Sequence, residues 1–245
     1  MSETVNLPDG GVWPWIDLGR MGYAEALDLQ HRIVDALVAN EATTDTPEPG
    51  FAGIFLFLEH PPVFTLGKRG GKEFLNVGEA WLTKQGIPVV ATERGGFITY
   101  HGPGQLIVYP VVRLKCLGVS VREFVFGLEA VMIRVLEKWG IGAERNEMNR
   151  GVWVGGNKIG SIGIHVRKGV AFHGLALNVN TDLSPFSWIQ PCGLQGVAMT
   201  SIREITGTET SMTDVQRCVA EAFESAFHIR LKRIETLSDA GPQKA

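Results

Sequence analysis

The sequence predicts a single α+β domain in which helices flank mixed or antiparallel sheets. Three observations support this fold class: amphipathic patterns of helical period, short apolar runs separated by glycine-rich turns, and the lack of a linker, repeat or composition break between residues 51 and 229. The 245 residues, 44% of them hydrophobic, suffice for one large core. We therefore expect one domain over residues 1–245, with its core at about 51–229 and a peripheral polar tail at 233–245.

The first half of the chain predicts one long helix followed by short strands. Apolar residues recur at near-helical spacing from Tyr23 to Ala39, with charged residues between them. Residues 40–50 carry almost no apolar side chains and predict an exposed loop. The elements expected next are a strand at Phe51–Leu58, a short strand at Val63–Leu66, a loop at Gly67–Gly71, a short helix near Glu79–Gln85 and a strand at Ile87–Thr92.

The second half predicts two further helices on either side of a meander. The strongest helical pattern, Val121–Trp139, has one apolar stripe and should pack across a sheet. Thr213 and Gln216 have the spacing of a capping box, which predicts a last helix that ends at about His228. Between these helices, glycine-containing turns separate antiparallel strands expected at Gly151–Val154, Lys158–Val166 and Val170–Val179.

Composition and charge argue against several functional classes. The net charge of −3 and the lack of long basic runs disfavour a nucleic-acid-binding protein. Apolar runs such as Ile54–Leu58 and Leu106–Val112 are too short to span a bilayer, so no membrane role is expected. The first ten residues lack the basic and apolar regions of a secretion signal, and the three cysteines form no paired motif. A cytoplasmic protein with free thiols is therefore expected.

The stretch at residues 94–105 reads Arg-Gly-Gly-Phe-Ile-Thr-Tyr-His-Gly-Pro-Gly-Gln and predicts a ligand-binding wall. Clustered glycines let the backbone approach a ligand closely, and the interleaved polar side chains supply donors and acceptors. A tight turn alone would explain Gly102, Pro103 and Gly104, but not Arg94 and the polar residues after it. Phosphate binding is not supported, because no phosphate-binding loop sequence is present.

Cys192 is the candidate nucleophile, because a rigid proline precedes it and a permissive glycine follows it. Cys116, at the end of an apolar strand, and Cys218, on a helix face, instead have the setting of core residues. A free thiol has a pKa of about 8.5, so Cys192 needs an activating partner. Either Lys158 or one of three histidines, His101, His165 and His173, could supply it.

Each of these candidates has a plainer alternative. Lys158 could be an edge-strand charge that points to solvent. The three histidines lack the paired spacing of a metal site, so no metal is expected. Phe97, Ile98, Phe172 and Leu175 could line a slot for an acyl chain, or could simply pack in the core.

Five segments in chain order carry a resemblance to a known family. They read Leu-Glu-His-Pro-Pro-Val-Phe-Thr-Leu-Gly at 58–67, the glycine-rich stretch at 94–105, Lys-Ile-Gly-Ser-Ile-Gly at 158–163, Phe-His-Gly-Leu-Ala-Leu-Asn at 172–178 and Pro-Cys-Gly at 191–193. Together they resemble the octanoyltransferases of lipoate biosynthesis, also called the lipoate-protein ligase B family. One departure is Phe97, where the family more often carries a polar residue.

The resemblance implies the fold of the biotin and lipoate ligases and an acyltransferase that needs no cofactor. The implied donor is octanoyl-acyl carrier protein, and the implied acceptors are lysines of lipoyl domains in 2-oxoacid dehydrogenase complexes and in the glycine cleavage H protein. Cys192 would form the acyl thioester, and Lys158 would lower its pKa and assist proton transfer. The implied substrate-binding residues are Arg94, Gly95, Gly96, Phe97, Ile98, Thr99, Tyr100, His101, Ser161, Ile162, Gly163, Gly174, Leu175 and Ala176.

The acidic carrier protein needs a local basic surface, since the net charge of the chain supplies none. The residues expected to include it are Lys68, Arg69, Arg145, Arg150, Arg167 and Lys168. Three other functions stay open on the sequence: an ATP-dependent ligase on the same fold, acyl transfer between protein lysines, and a non-catalytic acyl-binding module. The Pro-Cys-Gly segment argues against the ligase, which would not need a cysteine.

Overall fold

A computed structural model describes residues 12–41, 52–146, 149–190 and 197–240. Its strands are β1 (Val12–Arg20), β2 (Gly53–Glu59), β3 (Val63–Leu66), β4 (Val89–Ala91), β5 (Thr99–His101), β6 (Gln105–Arg113), β7 (Glu144–Arg145), β8 (Val152–Val154), β9 (Asn157–Arg167), β10 (Val170–Asn178) and β11 (Arg230–Arg233). Its α-helices are α1 (Tyr23–Glu41), α2 (Glu79–Lys84), α3 (Leu114–Leu117), α4 (Val121–Glu137), α5 (Ile202–Thr206) and α6 (Met212–Phe227).

The strands form a large and a small sheet. The large sheet has the order β11-β1-β2-β6-β10-β9-β8-β7. It is mixed, because β1 runs parallel to its neighbours β11 and β2, whereas all other neighbouring pairs in this order are antiparallel. The small sheet has the order β4-β3-β5, with one parallel and one antiparallel pair. The predicted α+β class with mixed sheets is confirmed, as is the antiparallel meander of β8, β9 and β10.

Helices cover both faces of the large sheet, and this explains why β2 is apolar at every position but its last. Phe55 and Phe57 face the core under α4 and α6, whereas Ile54 and Leu56 face α1. Successive side chains of a strand point to opposite faces, so a strand buried on both sides has no polar alternation. The helix predicted at Val121–Trp139 packs across the sheet as expected, as α4.

Two local predictions are corrected. The last helix is capped by Ser211, whose Oγ accepts a hydrogen bond from the Asp214 N–H at 3.3 Å, so the capping box predicted at Thr213 is wrong. Thr213 lies inside that helix. The prediction failed because Ser211 and Thr213 are only two residues apart and the sequence pattern did not distinguish between them. Cys116 lies in α3, not at the end of a strand, and is partly buried against the core.

The large sheet includes two strands outside the predicted core range of 51–229. β1 precedes this range, and β11, at Arg230–Arg233, follows it. In the described parts of the chain, no helix is long and apolar enough to cross a membrane.

Candidate active site

A cavity of about 600 Å³ lies between β9, β10 and the glycine-rich segment that leads into β5. It brings together residues that are far apart in the sequence. The predicted site residues that line it are Arg94, Gly95, Gly96, Phe97, Ile98, Thr99, His101, Lys158, Ser161, Ile162, Gly163, Gly174, Leu175 and Ala176.

Glycines let the walls of this cavity approach one another. Gly163 of β9 pairs with Gly174 of β10, and a Cβ on Gly163 would lie 3.1 Å from the Gly95 carbonyl oxygen. The Gly95 N–H donates to the Ile164 carbonyl oxygen at 3.0 Å. The segment that contains Arg94 is thereby fastened across β9, and a side chain at Gly163 would push it away.

The guanidinium of Arg94 donates hydrogen bonds to the protein's own backbone and to a side chain. Its Nε and Nη2 donate to Thr65 Oγ1 at 3.1 and 2.8 Å, and Nη2 also donates to the Thr65 carbonyl oxygen at 2.6 Å. Nη1 donates to the Gly95 carbonyl oxygen at 2.9 Å. Arg94 is buried at 7% exposure, and these bonds attach the glycine-rich wall to the small sheet.

The Tyr100 side chain faces away from the cavity, unlike those of Thr99 and His101, because alternate side chains of β5 face opposite ways. Thr99 and His101 line the cavity, whereas the Tyr100 ring packs on Phe64 and Phe186, with centroids 5.3 and 5.5 Å away. Tyr100 is therefore not among the residues that line the cavity.

His101 is neutral, and its hydrogen bonds define its tautomer. Gln105 Nε2 donates to Asn178 Oδ1 at 2.9 Å, so Gln105 Oε1 is the acceptor for His101 Nδ1–H at 2.7 Å. Burial, with smaller effects from the neighbouring His60 and from the charge of Arg94, lowers the pKa of His101 well below its usual value. Its Nε2 therefore carries no proton and can accept a hydrogen bond from a ligand.

Lys158 is buried in the cavity wall at 2% exposure, which contradicts the alternative of a solvent-facing edge charge. Its Nζ donates to Asn149 Oδ1 at 2.6 Å and to the Arg150 carbonyl oxygen at 2.8 Å. It also lies 5.4 Å from the centre of the Trp153 ring. An ammonium group that is withdrawn from water requires such acceptors, and here they also fix its position.

His173, one of the three histidines singled out in the sequence, lines the cavity. β10 is not paired with β6 between Ala171 and Leu175, opposite the stretch of β6 that carries Pro110, which has no N–H to donate. There the His173 backbone has φ +56°, and its N–H donates instead to Gln30 Oε1 at 2.7 Å.

The His173 ring contacts Glu93, with Nε2 3.8 Å from Glu93 Oε2. Burial lowers the pKa of His173, while the interaction with His173 is the largest cause of a lowered Glu93 pKa. The ring's buried Nδ1 has no hydrogen-bond partner among the described residues.

Among the further lining residues, Arg69 and Arg150 were expected in the basic surface and His173 was one of the candidate partners of Cys192. The others came from segments with ordinary core or loop patterns, which gave no sequence signal for them. Asn149 is the most consequential, since it holds Lys158 from the loop before β8. The lining residues absent from the predicted site are Arg69, Phe74, Tyr109, Val125, Asn149, Arg150, Ile164 and His173.

The expected basic surface is only partly assembled at the cavity. Arg69 and Arg150 line it, with the Arg69 guanidinium 4.6 Å from the Phe97 ring centre. Arg145 stacks on the exposed Phe126 ring at 3.7 Å, and Arg167 pairs with Asp35. Lys68 and Lys168 are exposed and do not line the cavity.

Cys192 lies outside the described residues, within 191–196. The chain on both sides of this range is attached to the cavity walls. The Gln190 N–H donates at 2.8 Å to the carbonyl oxygen of Phe74, a lining residue. The Ala198 carbonyl oxygen accepts from the Lys158 N–H at 2.9 Å, and the Thr200 N–H donates to the Lys158 carbonyl oxygen at 2.9 Å.

Over the ranges described, no group of three or more histidine, cysteine, aspartate or glutamate side chains is arranged to hold a metal ion.

Comparison with known proteins gives a consistent set of similarities. The family model for the lipoyl protein ligase A/B catalytic domain matches residues 22–224. An octanoyltransferase of Desulfotalea psychrophila is 46% identical over 204 residues, which are 82% of this chain and 88% of that protein. A mitochondrial octanoyl-acyl-carrier-protein:protein N-octanoyltransferase of Xenopus tropicalis is 44% identical over 84% of each chain.

Two solved structures show the same fold at low sequence identity. A lipoate-protein ligase A bound with ATP superposes with a TM-score of 0.71 at 16% identity, over 94% of this chain and 91% of that one. A putative lipoate protein ligase from T. acidophilum with bound lipoic acid gives 0.70 at 17% identity, over the same shares. The lipoate-ligase fold that the sequence led us to expect is confirmed.

Proposed function

The chain belongs to the lipoyl protein ligase A/B catalytic domain family and within it to the octanoyltransferases, and from this premise we propose the reaction it performs. It transfers an octanoyl group from octanoyl-acyl carrier protein to a lysine of a lipoyl domain, through a thioester on Cys192. The domains of 2-oxoacid dehydrogenase complexes and the glycine cleavage H protein are the acceptors. No cofactor takes part.

The observation that carries this proposal is the buried Lys158 ammonium in the wall of a partly apolar cavity. Cys192 follows Gln190 by two residues, which span at most about 7 Å, and the Gln190 backbone is bonded to the cavity residue Phe74. The chain beyond Cys192 returns to Lys158 itself through Ala198. These contacts support a Cys192–Lys158 pair in which the ammonium stabilises the thiolate by charge attraction.

In the first half-reaction, the Cys192 thiolate bonds to the carbonyl carbon of the octanoyl thioester. The bond from that carbon to the carrier sulfur then breaks, and the carrier thiolate takes a proton from the Lys158 ammonium. Exchange of one thioester for another is nearly neutral in energy, so the acyl group can be held on the enzyme without ATP.

In the second half-reaction, the neutral amine of the acceptor lysine attacks the same carbonyl carbon. Lys158, now neutral, accepts the proton that the amine loses, and the bond to Cys192 Sγ breaks. The products are an amide on the acceptor, the Cys192 thiolate and the Lys158 ammonium. The starting state is thereby restored.

The cavity has the size and lining expected for the acyl chain. Its volume of about 600 Å³ lies within the range of small-molecule pockets, and Ile98, Ile162 and Leu175 give it apolar walls. The neutral His101 Nε2 offers an acceptor for an N–H group of a substrate. Arg69 and Arg150 place positive charge where an acidic carrier protein would deliver its acyl group.

The decisive experiment is a peptide mass map after incubation with octanoyl-acyl carrier protein in the absence of ATP. We expect one octanoyl group on the Cys192 peptide, and its loss on addition of an acceptor lipoyl domain. Cys116 and Cys218 are internal controls and should stay unmodified. An adduct on either of these, or a requirement for ATP, would contradict the proposal and would favour a different nucleophile or a ligase mechanism.

A further inference from the structure

A fully buried carboxylate, Glu129 of α4, lies behind the segment that holds Lys158. Its Oε1 accepts from the Gly151 N–H at 3.0 Å. Its Oε2 lies 3.3 Å from Arg145 Nε and 3.8 Å from Arg150 Nη1. A buried carboxylate is costly unless it is paired, so these contacts tie α4 to Arg145, Arg150 and Gly151.

The same segment supplies the two acceptors that Lys158 Nζ has among the described residues. Asn149 provides its Oδ1 and Arg150 its carbonyl oxygen, and the residue that follows, Gly151, is the one bonded to Glu129. Gly151 also leaves room for the lysine, because a Cβ there would lie 2.8 Å from Lys158 Cε. The backbone at 149–151 therefore sets where the ammonium lies, and Glu129 sets where that backbone lies.

We propose that Glu129 is a positioning residue for Lys158. It acts through Gly151 and through the two acceptors of Lys158 Nζ at Asn149 and Arg150, and not by contact with substrate. Glu129 does not line the cavity. Its carboxylate also offsets the positive charge of Arg145 and Arg150 beside the ammonium. The effect of Glu129 on acyl transfer rests on the proposed function of Lys158, whereas its effect on the position of Lys158 rests on the contacts alone.

Position matters here because proton transfer requires the Lys158 Nζ within hydrogen-bond reach of the reacting sulfur or nitrogen. A displacement of about 1 Å by a change remote from the chemistry can slow a reaction by about 100-fold. Loss of Glu129 would leave the Gly151 N–H without its acceptor and two arginines without their counter-charge. The segment 149–151 would then shift, and the ammonium with it.

The test compares Glu129→Gln, Glu129→Leu and the control Glu224→Gln in the full chain. Glutamine keeps an acceptor for the Gly151 N–H but removes the charge, whereas leucine removes both. Glu224 is a matched control, because its Oε1 also accepts a backbone N–H, that of Leu231 at 2.7 Å, but in a place remote from the cavity. Thermal melts establish that each variant folds.

Two readouts are measured, steady-state kinetics and the ¹H–¹⁵N signal of the Lys158 ammonium, assigned by its disappearance in Lys158→Ala. We expect kcat to fall about 3- to 10-fold in Glu129→Gln and about 100-fold in Glu129→Leu, with KM changed less than about twofold. The ammonium signal should shift in Glu129→Gln and be lost to exchange with water in Glu129→Leu. Glu224→Gln should resemble the wild type in both.

Wild-type kcat and an unshifted ammonium signal in a folded Glu129 variant would overturn the inference. A Glu129→Gln protein that does not melt cooperatively would also overturn it, since Glu129 would then serve the core alone. If the signal changes as expected but kcat survives in both Glu129→Leu and Lys158→Ala, the positioning is supported and the proposed role of Lys158 fails.

Discussion

At the scale of single residues, the proposed chemistry of the site depends on how two nitrogen atoms are held. Lys158 Nζ is withdrawn from water and donates to a side-chain amide oxygen and a backbone carbonyl oxygen. His101 donates a hydrogen bond from its Nδ1–H to Gln105 Oε1, and its Nε2 carries no proton. The cavity therefore has a hydrogen-bond donor and a neutral acceptor, each held in place by hydrogen bonds to neighbouring residues.

Lys158→Ala should raise the pH at which Cys192 reacts with iodoacetamide, because the thiolate loses its nearest proposed counter-charge. The measurement is the rate of alkylation as a function of pH, read from the Cys192 peptide. Lys168→Ala is the control, since Lys168 is exposed in the turn between β9 and β10. An unchanged profile in Lys158→Ala would remove this lysine from the activation of the thiol.

Charge reversal at the cavity rim should weaken the binding of octanoyl-acyl carrier protein. We expect Arg69→Glu and Arg150→Glu to raise KM for octanoyl-acyl carrier protein by about 10-fold or more, with a larger effect at low salt. The exposed Arg217 on α6 does not line the cavity, so Arg217→Glu is the matched reversal. Equal KM values in all three variants would rule out a docking surface at this rim.

At the scale of elements, the β9–β10 hairpin forms one wall because glycines occur where strands must approach closely. A Cβ on Gly174 would lie 2.1 Å from the Val108 carbonyl oxygen of β6 and 2.7 Å from the Pro110 ring. The neighbouring unpaired stretch of β10 turns His173 away from regular strand geometry. Position 174 is thus constrained by backbone on the adjacent strand, which cannot rotate away as a side chain would.

Gly174→Ala should therefore lower the free energy of unfolding by about 1–3 kcal/mol, measured by urea denaturation. Gly142→Ala is the control, because a Cβ there meets no atom within 4 Å and its φ is not positive. A variant at Gly174 as stable as the one at Gly142 would show that β6 and β10 can separate without cost.

At the scale of the whole molecule, several buried histidines link the elements around the cavity and should make the fold sensitive to acid. His60 is fully buried, its Nδ1–H donates to the Met21 carbonyl oxygen at 2.7 Å, and its Nε2 accepts from Tyr109 Oη at 2.8 Å. Burial lowers the pKa of His60 to about 4, and burial also lowers the pKa of His101 and His173. All three are held neutral in the folded state.

The sign of the pH effect follows from these lowered pKa values. The unfolded chain takes up protons below about pH 6.5, whereas folded His60 resists protonation until about pH 4. The stability that these neutral histidines contribute should therefore be complete above pH 6.5 and fall as the pH decreases from 6.5 to 4. Melting temperatures across this range are the measurement.

His60→Gln should flatten this pH dependence, although its melting temperature at neutral pH will be lower. His228→Asn is the control, since His228 is exposed at the C-terminal cap of α6 in a left-handed conformation that asparagine tolerates. Parallel curves for wild type and His60→Gln would assign the acid sensitivity to other groups.

The sequence by itself determined the features that depend on local patterns. The apolar stripe predicted α4, and glycine turns predicted the meander of β8, β9 and β10, because periodicity and turn chemistry act between near neighbours. The motif at 94–105 was likewise sufficient to predict a wall, since its glycines and polar residues are consecutive.

Only the tertiary structure decided which residues meet across the fold. It turned Tyr100 away from the cavity, joined β1 and β11 to the sheet, and brought Asn149 to Lys158 and Glu129 to Gly151. None of these follows from a local pattern alone. The alternation along β5 separates Tyr100 from Thr99 and His101, but which side faces the cavity depends, like the other contacts, on strand order and on packing between elements. The chemical groups were therefore visible in the sequence, whereas their geometry was fixed by contacts between distant segments.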